Sequence, residues 1–226
     1  MGIGVLLGVL CLSAAFVPGT LPAAARSFGV PTALGAPHFT SQPARGRFLV
    51  ASRGLRDPNF SQSVVLLLVH EARGSMGLII NRPTPLRLAT LLPDVSELRD
   101  RRDHVSFGGP VGMNALTLLI RARRQPTRAE PIFGDVYATG DLASLREALG
   151  SKGERDQIRA YVGYAGWGAG QLDQEIMRGD WHVGPADADS VFEPSPGELW
   201  DRLIDRFSGA WTRAELFFAY PSVYRS

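Results

Sequence analysis

The sequence predicts an α+β fold in which strands outnumber helices, and three observations carry that expectation. Ser63-Val64-Val65-Leu66-Leu67-Leu68-Val69 is a continuous β-branched and aliphatic run of strand length, the pattern of a strand buried on both faces. Further strand-length segments recur between turn residues along the chain. Leu142, Leu145 and Leu149, and later Leu199, Leu203 and Phe207, fall on helical stripes. Composition agrees: 226 residues, 45% hydrophobic and 20% charged, suit a domain that buries a real core.

Met1 to Ala25 carries no charge, and Ile3 to Val17 is an almost unbroken apolar run. Pro18-Gly19 breaks it, and Ala23 to Ala25 resembles a small-residue cleavage site. Residues 1–25 therefore read as a signal-like or anchor leader, which places the protein outside the cytoplasm or on a membrane. A cytoplasmic location is the alternative, with the segment as an upstream extension. Residues 26–45, rich in Pro, Gly, Ala and Ser, read as a flexible linker.

The folded region begins at Gly46. Arg47 to Ala51 is a short strand, and Asp57-Pro58-Asn59-Phe60 is turn chemistry. Ser63 to Val69 pairs through a turn at Glu71 to Gly74 with Met76 to Asn81, and Arg82-Pro83 ends that hairpin. Leu86, Leu88, Leu91 and Leu92 suggest a short helix. Val105 to Val111 is a strand running into a glycine turn, and 115–121 and 134–139 are further strands. A helix follows with Asp141 as its N-cap, then a strand at 157–164, a helix at 171–178, a short strand at 181–183 and a last helix at 198–207. No period of solenoid length repeats, so 46–211 reads as one domain and 212–226 as an aromatic C-terminal extension.

Several function classes are excluded. Cys11 is the one cysteine, so disulfides within the chain, thiolate catalysis and cysteine-based zinc sites are ruled out for the folded region. A net charge of +2 from 24 basic and 22 acidic residues argues against a dedicated nucleic-acid binder. The densest basic patch, Arg121, Arg123, Arg124 and Arg128, reads as a solvated charged loop. No metal or cofactor motif is assembled, and no catalytic residue is assigned.

Candidate ligand-binding residues remain. His70 stands at the exit of the strongest strand, where a general base, a metal ligand and a hydrogen-bonded structural histidine are all open, the last being favoured. Asn81 and Arg82 close the next strand, and the guanidinium could grip a carboxylate or phosphate, with an intramolecular ion pair as the default. Gly166, Gly168 and Gln171 belong to a cluster of glycines around Trp167 between a strand and a helix. That cluster could present free N–H groups to an anion, but its spacing matches no nucleotide cradle, and a tight corner with Trp167 wedged in the core is preferred. Asp173 reads as a partner of the helix dipole, and Ser75 lies in no nucleophile elbow.

Gly54-Leu55, Asp57-Pro58-Asn59-Phe60, Ser63-Val64-Val65 leading to His70, Met76 to Pro83, Gly108-Gly109-Pro110-Val111, the Gly163 to Glu175 segment, Trp181, Pro185 to Phe192 and Trp200 together resemble the YqgE/AlgH family of bacterial proteins. The resemblance covers roughly residues 46–207. It implies a mainly antiparallel mixed sheet curled into a partly closed, barrel-like shape with a few flanking helices. It implies no established enzymatic activity, and the family is named after a proposed regulator of alginate production. A non-enzymatic regulatory or interaction domain with protein partners is the expectation. The alternative is a small-ligand-binding protein or enzyme using a surface near His70, Arg82 and the 163–170 loop.

Overall fold

The computed structural model describes residues 42–150 and 157–207. The leader, most of the linker, Cys11 and the aromatic extension lie outside the described residues.

The first strand, β1 (Arg47–Ala51), and the second, β2 (Val64–Glu71), pair antiparallel, with Leu49 opposite Val65. Five consecutive β2 residues, Val64 to Leu68, are at most 4% exposed, the double-sided burial that the unbroken aliphatic run predicts. A tight turn leads to β3 (Gly74–Ile79), which pairs with β2 from Glu71↔Gly74 to Val65↔Ile79. Then come β4 (Pro83–Arg87), α1 (Leu88–Leu91), β5 (His104–Phe107) and the long β6 (Val111–Arg121). β7 (Glu130–Phe133) and β8 (Val136–Thr139) precede α2 (Leu142–Gly150). β9 (Gln157–Gly168), α3 (Gln171–Met177), β10 (Trp181–Pro185) and α4 (Ala188–Val191) follow. A last helix, α5, runs over 199–207.

The strands form one 10-stranded sheet in the order β10-β1-β2-β3-β9-β6-β8-β7, with β5 pairing β9 and β4 beyond it. Every pairing is antiparallel except β5 with β9. β9 is the hub. Its first half pairs β6 and β5, and its second half pairs β3 from Ala165 to Gly168. The sheet curls, and Arg45 just before β1 donates from Nη1 to the carbonyl of Pro131 in β7, 3.1 Å away, near the far edge. The α+β class expected from the sequence pattern and the partly closed, barrel-like sheet implied by the resemblance are both present.

Apolar stripes seat the helices. Leu199, Leu203, Ile204 and Phe207 of α5 are buried, and Trp200 Nε1 donates to the Ala51 carbonyl at 2.8 Å, fixing α5 on β1. Asp141 caps α2 as its position before the leucine stripe predicts, accepting from the Ala143 and Ser144 amides at 2.9 and 3.1 Å.

Three local expectations need correction. The hairpin strand ends at Ile79, before Arg82-Pro83 as expected, but Pro83 opens a strand the sequence did not suggest: Pro83–Arg87 is paired only with β5, and an edge is where a missing N–H is tolerated. Leu86 therefore belongs to that strand, 39% exposed, and the helix is the shorter Leu88–Leu91. β7, with Pro131 and an edge position, was hidden for the same reason. The glycine cluster is not a corner up to residue 170, because β9 runs straight through Gly163 and Gly166 to Gly168.

Candidate functional site

Two groups of polar residues stand out, at opposite ends of the β2–β3 hairpin. The first is built by the Asp57-Pro58-Asn59-Phe60 turn. Asp57 Oδ1 accepts from the Asn59 amide at 2.7 Å, and its carbonyl accepts from the Phe60 and Ser61 amides at 3.0 and 2.7 Å. The turn leaves Gln62 at φ 55°, a left-handed conformation uncommon for a non-glycine residue. Asn81 locks it there: Nδ2 donates to the Gln62 carbonyl at 2.9 Å while Oδ1 accepts the Val64 amide at 2.9 Å. Asn81, 7% exposed, is thus committed to holding the loop.

Arg82 is the group this scaffold presents. Its Nη2 donates to the Ser61 carbonyl at 3.1 Å, and its own carbonyl accepts the Phe107 amide at 2.9 Å. Burial pulls its guanidinium below the usual arginine range, an effect partly offset by the nearby charge of Asp57. It remains a cation at neutral pH. Among the described residues no carboxylate lies within ion-pair distance of it, so the expected intramolecular ion pair is not formed. Arg82 faces a cleft of about 340 Å³ lined by Ser61, Gln62, Asn81, Gly197, Trp200 and Asp201. The sequence offered no signal that the start of α5 would supply the other wall.

The second group holds His70, Gly168 and Gln171. His70 Nδ1 and Ser75 Oγ, on directly opposed residues of β2 and β3, are 2.8 Å apart, and His70 Nε2 lies 3.8 Å from Asp173 Oδ1. The order Ser–His–Asp is that of a nucleophilic relay, but at 3.8 Å the His70–Asp173 contact is beyond hydrogen-bond distance, and Ser75 is 8% exposed. The glycine loop donates inward as well: the Gly168 amide is bonded to Gln171 Oε1 at 3.1 Å. Gln171 Nε2 in turn donates to Glu175 Oε1 at 2.9 Å, a contact of residues four apart on one helix face. Glu175 Oε2 accepts from two indoles, Trp167 Nε1 at 2.8 Å and Trp181 Nε1 at 2.9 Å. Phe60 completes the cluster, its ring 5.9 Å from Trp167 and 5.7 Å from Trp181. Glu175 was missed as a key residue; its spacing from Gln171 was the one available hint.

Ser75 and Asn81 are six positions apart along β3 and its continuation, about 20 Å at strand rise. The structure therefore brings His70, Gly168 and Gln171 together, and Asn81 with Arg82, but does not merge the two groups into one pocket. Gly166 lies beside the second group, paired with Met76. In the basic patch, Arg121 pairs with Asp135 and Asp189, and Arg128 with Asp141, as a charged surface loop would. Among the described residues no cluster of His, Cys, Asp or Glu could hold a metal.

Comparison with known proteins bears on the whole domain. A family model described as AlgH-like matches residues 48–212. A UPF0301 protein of Streptomyces avermitilis is 37% identical over 172 residues, 71% of this chain and 85% of that protein. One from Thioalkalivibrio sulfidiphilus is 37% identical over 172 residues, 75% of this chain and 89% of its own length. Among solved structures, the AlgH protein from Pseudomonas aeruginosa superposes with a TM-score of 0.56 at 28% identity, over 86% of this chain and 99% of that one. A crystal structure of a Corynebacterium diphtheriae protein gives 0.64 at 23% identity, over 73% and 87%, a likeness of fold.

Proposed function

This chain belongs to the AlgH-like family, and from that premise we propose that its domain is a non-enzymatic recognition module that receives the anionic group of a ligand at Arg82. The observation that carries this reading is a half-buried guanidinium, near Asp57 but with no carboxylate within ion-pair distance among the described residues, facing a cleft of about 340 Å³. A partly desolvated cation gains most from a carboxylate or phosphate that can engage its planar fork. Gln62 supports the reading, because backbone strain held in place by a committed neighbour is characteristic of binding sites. Occupancy of the cleft, rather than turnover, is the signal the module passes to protein partners.

Titrating the isotope-labelled chain with acetate and with inorganic phosphate tests this. Amide shifts should concentrate on Ser61, Gln62, Arg82 and the Trp200 indole, with apparent affinity falling about tenfold or more in Arg82→Gln, equivalent to about 1.4 kcal/mol. Shifts that ignore the cleft, or survive the substitution unchanged, would remove the reading.

Among the described residues no helix is long and apolar enough to cross a membrane. Export or anchoring accordingly rests on residues 1–25. If that segment is a cleaved leader, N-terminal sequencing of the native protein begins near Arg26. A native chain starting at Met1 in the soluble cytoplasmic fraction would rule it out.

A further inference from the structure

The cleft carries a second charge that the anion reading alone does not use. Asp201, exposed in the first turn of α5, lines the wall facing the loop and Arg82. Its charged neighbours along the helix are all engaged: Arg202 with Glu193, Asp205 with Arg53, and Arg206 with Asp187. Asp201 itself has no ion-pair partner among the described residues, and neither has Arg82. One cleft thus holds one cation and one carboxylate, on different elements and more than an ion-pair distance apart. A simple anion entering beside Arg82 meets a like charge across the space, whereas a ligand that also carries an ammonium meets an opposite one. The volume, about 340 Å³, lies at the small end of ligand sites and suits a molecule of amino-acid size.

We infer that the ligand of this cleft is a zwitterion of free amino-acid type, its carboxylate on the Arg82 guanidinium and its ammonium on the Asp201 carboxylate. The inference rests on the Arg82 reading above and narrows it to one chemical class. The residual side chain of the ligand lies toward Gly197 and Trp200, where the absence of a glycine side chain leaves room.

The test reads ligands on the unchanged, intact chain by amide and indole shifts. The twenty standard amino acids are screened singly at about 10 mM, and each one that binds is compared with its N-acetyl derivative, which keeps the carboxylate and loses the ammonium. At least one amino acid should bind, with the acetylated form about tenfold weaker or worse. Asp201→Asn should act in opposite directions, weakening that amino acid and strengthening acetate. Asp201 is exposed, so this variant folds as the parent does. If acetylated and free amino acids bind alike in an Arg82-dependent way, or Asp201→Asn moves acetate and amino acid in the same direction, the zwitterion is overturned while the anion site stands. If none of the twenty reaches the cleft but acetate does, the result is the same. If no probe depends on Arg82, both readings fall together.

Discussion

Glu175→Ala should lower the unfolding free energy by about 2–5 kcal/mol, because it strands two indole donors at once. Trp167 and Trp181 are 5% and 2% exposed, and both direct Nε1 at the same Glu175 oxygen. Each buried donor left without an acceptor loses about 1–3 kcal/mol, more than the net worth of the bond itself. Glu175 also holds Gln171, whose other end caps the Gly168 amide, so the loss spreads from α3 to the end of β9. Relief of the carboxylate's own desolvation offsets part of this, since the side chain is only half-buried. Glu175→Gln should be milder, about 1–2 kcal/mol, because an amide oxygen still accepts but without charge assistance. Urea unfolding followed by far-ultraviolet circular dichroism, with tryptophan fluorescence as a second probe, measures both. An alanine variant within about 0.5 kcal/mol of the parent would show that water satisfies the indoles and that the cluster is ornamental to stability.

That prediction also shows where the sequence was readable and where it was not. Elements written in hydrophobic pattern were legible: the run 63–69 became a strand buried on both faces, and Leu199, Leu203 and Phe207 became the buried stripe of α5. Edge strands were not, because Pro83 and Pro131 are breaker signals that an edge tolerates. The candidate site was half legible. Arg82 was singled out by its residue type and its position at a strand end, whereas Trp200 entered only through the family resemblance and Asp201 only as an unremarked position of the 198–207 helix. They come from more than a hundred positions away, and nothing local in the sequence says that α5 folds back onto that cleft. The same limit hid Glu175. Its partners Trp167 and Trp181 are brought to it by the turn into α3 and the return into β10, a convergence that periodicity does not encode.

Gly109→Ala should be more damaging still, by more than about 4 kcal/mol, to the point that little soluble, folded protein is recovered. Gly109 sits at φ 149°, and a Cβ there would lie 2.2 Å from the Tyr164 carbonyl carbon and 2.4 Å from the Ala165 nitrogen. Those are backbone atoms in the middle of β9, which pairs β3, β5 and β6 and so cannot shift without disturbing all three. The reciprocal position behaves alike: Gly163, at φ 72°, would place its Cβ 2.3 Å from the Gly109 carbonyl oxygen. The two glycine motifs of the sequence, Gly108-Gly109 and the cluster from Gly163, are therefore the two sides of one contact, backbone against backbone. Close backbone approach thus accounts for glycine at 108, 109 and 163. Gly150→Ala, at the end of α2 where a Cβ meets nothing within 4 Å, supplies the control and should leave stability unchanged or raise it by up to about 1 kcal/mol. A Gly109→Ala protein that expressed, folded cooperatively and retained the parent's amide spectrum would mean that the β5–β6 connection can lift off β9. The glycines would then again be free to serve as a ligand loop.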